Sequence, residues 1–130
     1  MTDRPPKAQR VYDYLADIQD AISWTTRHIG NMTKEQFLAD RKTQDAVIKN
    51  MVDIGEAANN VMRTDPRLEQ ERPELWKHLV GTYATRIKLT HGYRSIDAAV
   101  VWNTAQIDLP AFREMVRSIL AEEDGSEPLN

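Results

Sequence analysis

The chain has 130 residues, no cysteine, 41% apolar and 28% charged residues, and a net charge of −3 at pH 7. That is room for one domain with its own core, and it excludes disulfides and thiolate metal sites. No apolar run approaches the roughly 18 residues of a membrane span, and MTDRPPKAQR lacks the apolar centre of a secretory signal, so a cytoplasmic protein with no membrane partner is expected.

Helical periodicity runs through the chain. Val11, Tyr14, Leu15, Ile18, Ile22, Thr25 and Ile29 recur every three or four residues, which predicts a helix from about Pro6 to His28 ended by Gly30. Thr33 stands three residues before Gln36, a capping-box spacing that opens a short helix carrying Phe37 and Leu38. Val47, Met51, Ile54, Ala58, Val61 and Met62 mark a long third helix that runs out at TDP. Gly55, Ala57 and Ala58 lie in its middle, where small side chains let another helix approach closely. Gly costs a helix interior roughly 1 kcal/mol relative to Ala, so tight packing is the expected compensation.

RTDPRLEQER reads as a polar loop. Pro73 can occupy the first turn of a helix through about Leu79, and GTYATRIKLTH makes another, closed by Gly92. Ser95 can cap a last helix with Asp97 in its first turn. Its stripe is Ile96, Val100, Ile107, Phe112, Val116, Ile119 and Leu120, and Pro110 predicts a kink or break near Asp108. The expectation is an all-α bundle of four to six helices over residues 1–120, followed by an acidic tail at 121–130 too poor in apolar residues to order.

Charge is unevenly spread along this framework. From Leu75 to Ile96 there is no Asp or Glu, while Lys77, Arg86, Lys88 and Arg94 carry +4, leaving −7 on the remainder. A basic island on an acidic body focuses a polyanion at one place.

Most candidate chemistries find no support. His28, His78 and His91 have none of the i, i+3 or i, i+4 spacings that put two metal ligands on one helical face, so no metal is expected. The five glycines are scattered, which excludes a phosphate-cradling loop, and no cofactor is implied. Trp24, Trp76 and Trp102 read as core anchors rather than base-stacking platforms.

Arg86 and His91 remain. A histidine, with an ordinary pKa near about 6.5, both takes and gives a proton at neutral pH. An arginine offers a fixed fork that matches phosphate oxygens. Together they suffice to cut RNA without a metal, the histidine moving protons and the arginine neutralising charge at phosphorus. On one straight helix the two lie about 140° apart. The helix ending at Gly92, the reach of the arginine, or a second protomer could each reconcile them.

RIKLTHGY fits the Arg-x4-His-x-Tyr signature of the HepT toxins within the HEPN superfamily of helical ribonucleases. FLADRKTQDAVIKNMVDIGEAANNV resembles that family's long central helix, and GYRSIDAAVVWNTAQIDLPAFREMV resembles the stretch after its motif. The residue after the motif arginine, commonly Asn or Asp there, is Ile87 here. The resemblance implies a HEPN-type bundle that acts as a homodimer, with Arg86 and His91 of both subunits lining one composite cleft. It implies a metal-independent ribonuclease toxin with RNA as substrate. Its partner would be an MntA-type nucleotidyltransferase antitoxin that transfers AMP from ATP onto Tyr93 and silences the cleft. Lys88 and Arg94 would add to the field that binds RNA. The alternative is a non-catalytic HEPN-like dimer that binds a nucleotidyltransferase and nucleotide or RNA without cutting.

Overall fold

The computed structural model describes residues 6–92 and 96–123, with the side chain of Glu123 excepted. Helix α1 spans Lys7–Ile29, α2 Lys34–Leu38, α3 Arg41–Thr64, α4 Leu68–Glu71 and α5 Pro73–His91. Helix α6 covers Ala98–Asn103 and passes through a π-helical turn at Thr104–Asp108 into α7, Leu109–Glu123. Asn103, Thr104 and Leu109 all keep right-handed helical angles, so these last three pieces form one rod. Counted that way, the described residues form six helices and no strand, the expected all-α bundle.

Helix α3 is the centre of the bundle. It packs along α1 on one side and α5 on the other, and α1 also packs against α7. The core joins Leu15, Ile18 and Ile22 of α1 to Val47, Ile54 and Val61 of α3, Leu75 and Leu79 of α5, and Phe112 and Val116 of α7. Each such side chain contributes about 1.5–3 kcal/mol by leaving water. Phe37 of α2 is fully buried and meets the ring of Trp102 at 5.4 Å between centroids.

The helix ends follow their sequence signals. Gly30 closes α1 with φ 54°, a left-handed angle that favours glycine. Thr33 and Gln36 form the expected capping box, each side chain accepting from the other's backbone N–H. Asp40 caps α3 by accepting from Thr43 N–H at 3.0 Å.

The structure corrects several expectations. The stretch expected as a loop contains α4, whose Leu68 is buried. Helix α5 does not break near Gly81, because Leu75, Leu79 and Leu89 all anchor it to the core. Asp97, not Ser95, caps α6: its Oδ1 accepts from Ala99 N–H at 2.8 Å, and Ser95 lies outside the described residues. Val100 and Ile107 are 60% and 67% exposed and leave the predicted stripe, while Val101, Ala105 and Leu109 are buried in their place. A π turn, which departs from the 3.6-residue period on which the expected stripe rests, lies just ahead of Pro110. The wider turn also accommodates a proline that has no N–H to give. Trp24, expected as a core anchor, is 46% exposed and carries the Arg27 guanidinium over its ring at 5.0 Å. Of the expected tail, residues 121–123 continue α7, with Arg72 paired to Glu122 at 3.0 Å, and the remainder lies outside the described residues.

Candidate nucleic-acid cleavage site

Helix α5 carries the described members of the basic island, Lys77, Arg86 and Lys88, together with His91. Tyr93 and Arg94 lie outside the described residues. Because α5 is unbroken through His91, the phase argument from sequence holds in three dimensions. Arg86 turns toward α3, and His91 faces a cleft between α5 and α6.

Arg86 sits where α3 and α5 come closest. A Cβ placed on Gly55 would lie 2.3 Å from Arg86 Cβ and 2.7 Å from the Thr82 carbonyl oxygen. Real Cβ atoms do not come that near other heavy atoms, so only glycine permits this approach. The mid-helix small residues thus serve contact within the chain, with Gly55 setting the depth at which Arg86 emerges. The next residue, Glu56, places Oε2 2.9 Å from Arg86 Nε. Nε is buried and its N–H is not aligned for a hydrogen bond, so the contact is an ion pair set by proximity. The arginine side chain remains 29% exposed.

His91 is the last residue of α5 and is exposed. Its Nδ1 lies 3.0 Å from the Ile87 carbonyl oxygen, one turn earlier. A carbonyl only accepts, so Nδ1 carries the hydrogen and donates it. The neutral ring then has its lone pair on Nε2, turned away from the helix. The Thr90 hydroxyl, which donates to the Arg86 carbonyl at 3.0 Å, flanks the same ring. Gly92 N–H closes the helix on Lys88 O at 2.8 Å.

The cleft beside His91 has a volume of about 560 Å³. Met51, Leu89, Val100 and Val101 make its walls apolar, and Lys88 and His91 stand on its α5 side. The Asp97 carboxylate across from them is committed to capping α6. Arg86 is not among the described residues that line this cleft. One protomer therefore brings Lys88 and His91 together and holds Arg86 on a neighbouring face.

On the other side of Glu56 the surface changes sign. A groove of about 390 Å³ between α1 and α3 is lined by Asp17, Asp20, Asp53 and Glu56, with Tyr14 and Trp24. Burial, followed by repulsion from Asp13 and Asp20, raises the Asp17 carboxyl above its ordinary value. Arg86 thus stands at the boundary between acidic and basic surface. His28 packs on Trp24, and His78 stacks on Phe112 at 5.1 Å, so neither belongs to the site. Among the described residues no three His, Asp or Glu side chains gather as a metal would require, and no helix is long and apolar enough to cross a membrane.

Sequence reasoning missed Glu56. The signal was present as an acid beside a mid-helix glycine, but no spacing rule links residue 56 to residue 86.

The chain matches the family described as Ribonuclease HepT-like over residues 18–119. It is 38% identical over 101 residues to a Thermococcus cleftensis protein named "Probable ribonuclease HepT", covering 78% of this chain and 87% of that one. It is 32% identical over 120 residues to the Methanocaldococcus jannaschii protein named "Putative RNase MJ0127", covering 89% and 92%. No solved structure matches it. A helical bundle whose third helix cradles the motif arginine and whose fifth helix ends on the motif histidine agrees with that match, and the chain belongs to the HepT-like ribonuclease family.

Proposed function

We propose that this protein is a metal-independent endoribonuclease, the toxin half of a toxin–antitoxin pair. The observation that carries the reading is the hydrogen bond from His91 Nδ1 to the Ile87 carbonyl, which leaves Nε2 free at the exposed end of a basic helix. In the reaction, His91 Nε2 takes the proton of an RNA 2′-hydroxyl, and that oxygen attacks the adjacent phosphorus. The bond to the 5′-oxygen breaks, and a protonated His91 gives its proton to the leaving oxygen. The products are a 2′,3′-cyclic phosphate and a 5′-hydroxyl. Arg86 neutralises charge on the non-bridging oxygens, and Lys88 and Arg94 add to the positive field.

The two protonation roles suit two copies of His91, and an exposed stripe supports a homodimer. Val80, Ala84, Ile87 and His91 follow at i, i+4, i+7 and i+11 along α5, with Val80 47% and Ile87 38% exposed. A seam of two such stripes would carry the histidines of both protomers to one cleft, with Arg86 at its margins. The antitoxin is a nucleotidyltransferase of the MntA type. It joins the α-phosphorus of ATP to the Tyr93 phenolic oxygen and releases pyrophosphate, so that negative charge two residues past His91 repels RNA.

The test is cleavage of RNA by the purified protein in excess chelator, beside Arg86→Ala and His91→Ala variants shown to fold by circular dichroism. Cleavage lost in both variants, with a 2′,3′-cyclic phosphate product, supports the reading. An inactive wild type, free of AMP by mass, favours the non-catalytic binding module instead.

A further inference from the structure

We propose that Glu56 is the positioning residue of Arg86, an inference that rests on the ribonuclease reading above. A surface arginine on a long stem samples many rotamers, whereas charge neutralisation at phosphorus needs its fork held in one direction. Two adjacent residues of α3 provide that hold. Gly55 lets the α5 backbone come so close that Arg86 Cβ rests on α3 itself. Glu56 then meets the side chain at Nε, at 2.9 Å. Contact at Nε draws the guanidinium to the α3 side and leaves both Nη groups, with their paired N–H donors, for phosphate oxygens.

Stability alone is a poor account of this pair. Glu56 is 52% exposed and Arg86 29%, and ion pairs at such positions contribute little. Simple electrostatics is no better, because a carboxylate beside a phosphate-binding arginine opposes the binding of RNA. Glu56 also continues the acidic wall of Asp17, Asp20 and Asp53. The two effects therefore act in opposite directions, orientation raising the rate of the chemical step while charge weakens the encounter. That opposition makes the role measurable.

The experiment is steady-state cleavage of an RNA oligonucleotide in chelator by wild type, Glu56→Gln, Arg86→Ala and the double variant, all checked for folding. Glu56→Gln should lower kcat about tenfold with KM unchanged or smaller. In the Arg86→Ala background the same change should cost nothing more. An unchanged or raised kcat in Glu56→Gln, or an equal loss in both backgrounds, would overturn the proposal. The Nε–Hε resonance of Arg86, assigned by its absence in Arg86→Ala, gives a second reading that needs no activity. It should shift or broaden in Glu56→Gln, and an unmoved resonance overturns the positioning role. If wild type cuts no RNA while this resonance shifts, the ribonuclease reading fails and the hold on Arg86 stands.

Discussion

His91 is held by main chain, which divides the labour at residue 87. The Ile87 carbonyl orients the imidazole at 3.0 Å, so the side chain at that position is not needed for the purpose. An apolar side chain at Ile87 is therefore compatible with an oriented imidazole. Arg86 is less replaceable. Arg86→Lys keeps the charge but not the planar fork, so cleavage should stay at least about tenfold below wild type, as read by initial rates on a fixed RNA. At Asp17 the folded protein holds the proton more tightly than the unfolded chain. Its contribution is therefore neutral at acid pH and becomes destabilising as pH rises through the raised value. Asp17→Asn should raise Tm at pH 7, lose that advantage below the ordinary value of 3.8, and show less of it in high salt. Thermal melts across pH test the sign.

Two glycines on the helices that frame the site should respond oppositely to one added methyl group. At Gly55 the methyl would collide with Arg86 Cβ and the Thr82 carbonyl, neither of which is the end of a flexible chain. Gly55→Ala should cost about 1–3 kcal/mol or more and displace Arg86. At Gly81 nothing lies within 4 Å of the new atom, and the residue is mid-helix in α5. Gly81→Ala should stabilise by roughly 0.5–1 kcal/mol. Denaturant titrations of both variants decide the pair. The same contrast shows what the sequence made legible at this scale. The periodicity of α1 and α3, the capping box at Thr33 and the disturbance ahead of Pro110 could all be read locally. The continuity of α5 could not, because a solvent-facing glycine and a helix-ending glycine look alike until Leu75, Leu79 and Leu89 are seen to share one core. The identity of the cap at Asp97 turned on a two-residue choice that only backbone geometry resolves.

At the scale of the whole molecule, the described residues set an acidic groove and a basic helix on either side of one ion pair, Glu56 with Arg86. The acid-free run Leu75–Ile96 becomes mostly α5, while Asp17 and Asp20 of α1 and Asp53 and Glu56 of α3 line the groove on the other side of Arg86. Sequence spacing gave the 140° separation of Arg86 and His91, and the structure keeps it, since nothing within one protomer turns them together. The pairing of residues 55 and 56 with residue 86 was invisible beforehand, being a contact across 30 positions of chain. If two protomers complete the site, an acid in the stripe should separate them. Val80→Glu should elute at a mass near 14.9 kDa, where wild type gives twice that, and should lose cleavage while remaining helical. Light scattering after size exclusion, run beside the cleavage assay, tests both halves of that statement.

The π turn at Thr104–Asp108 has one more consequence, for how this helix tolerates change in length. Its downstream half is locked to the core by Phe112, Val116 and Ile119, while its upstream half forms one wall of the cleft. Its five residues make about the rotation that four make in ordinary α-helix, so removing one would let the rod close into α-helix with both flanks in their present phase. Val101 would stay in the core and the cap at Asp97 would keep its place. The bundle and the wall facing His91 should both survive such a deletion, so the turn is a joint at which the chain can change length by one residue without recutting the cleft.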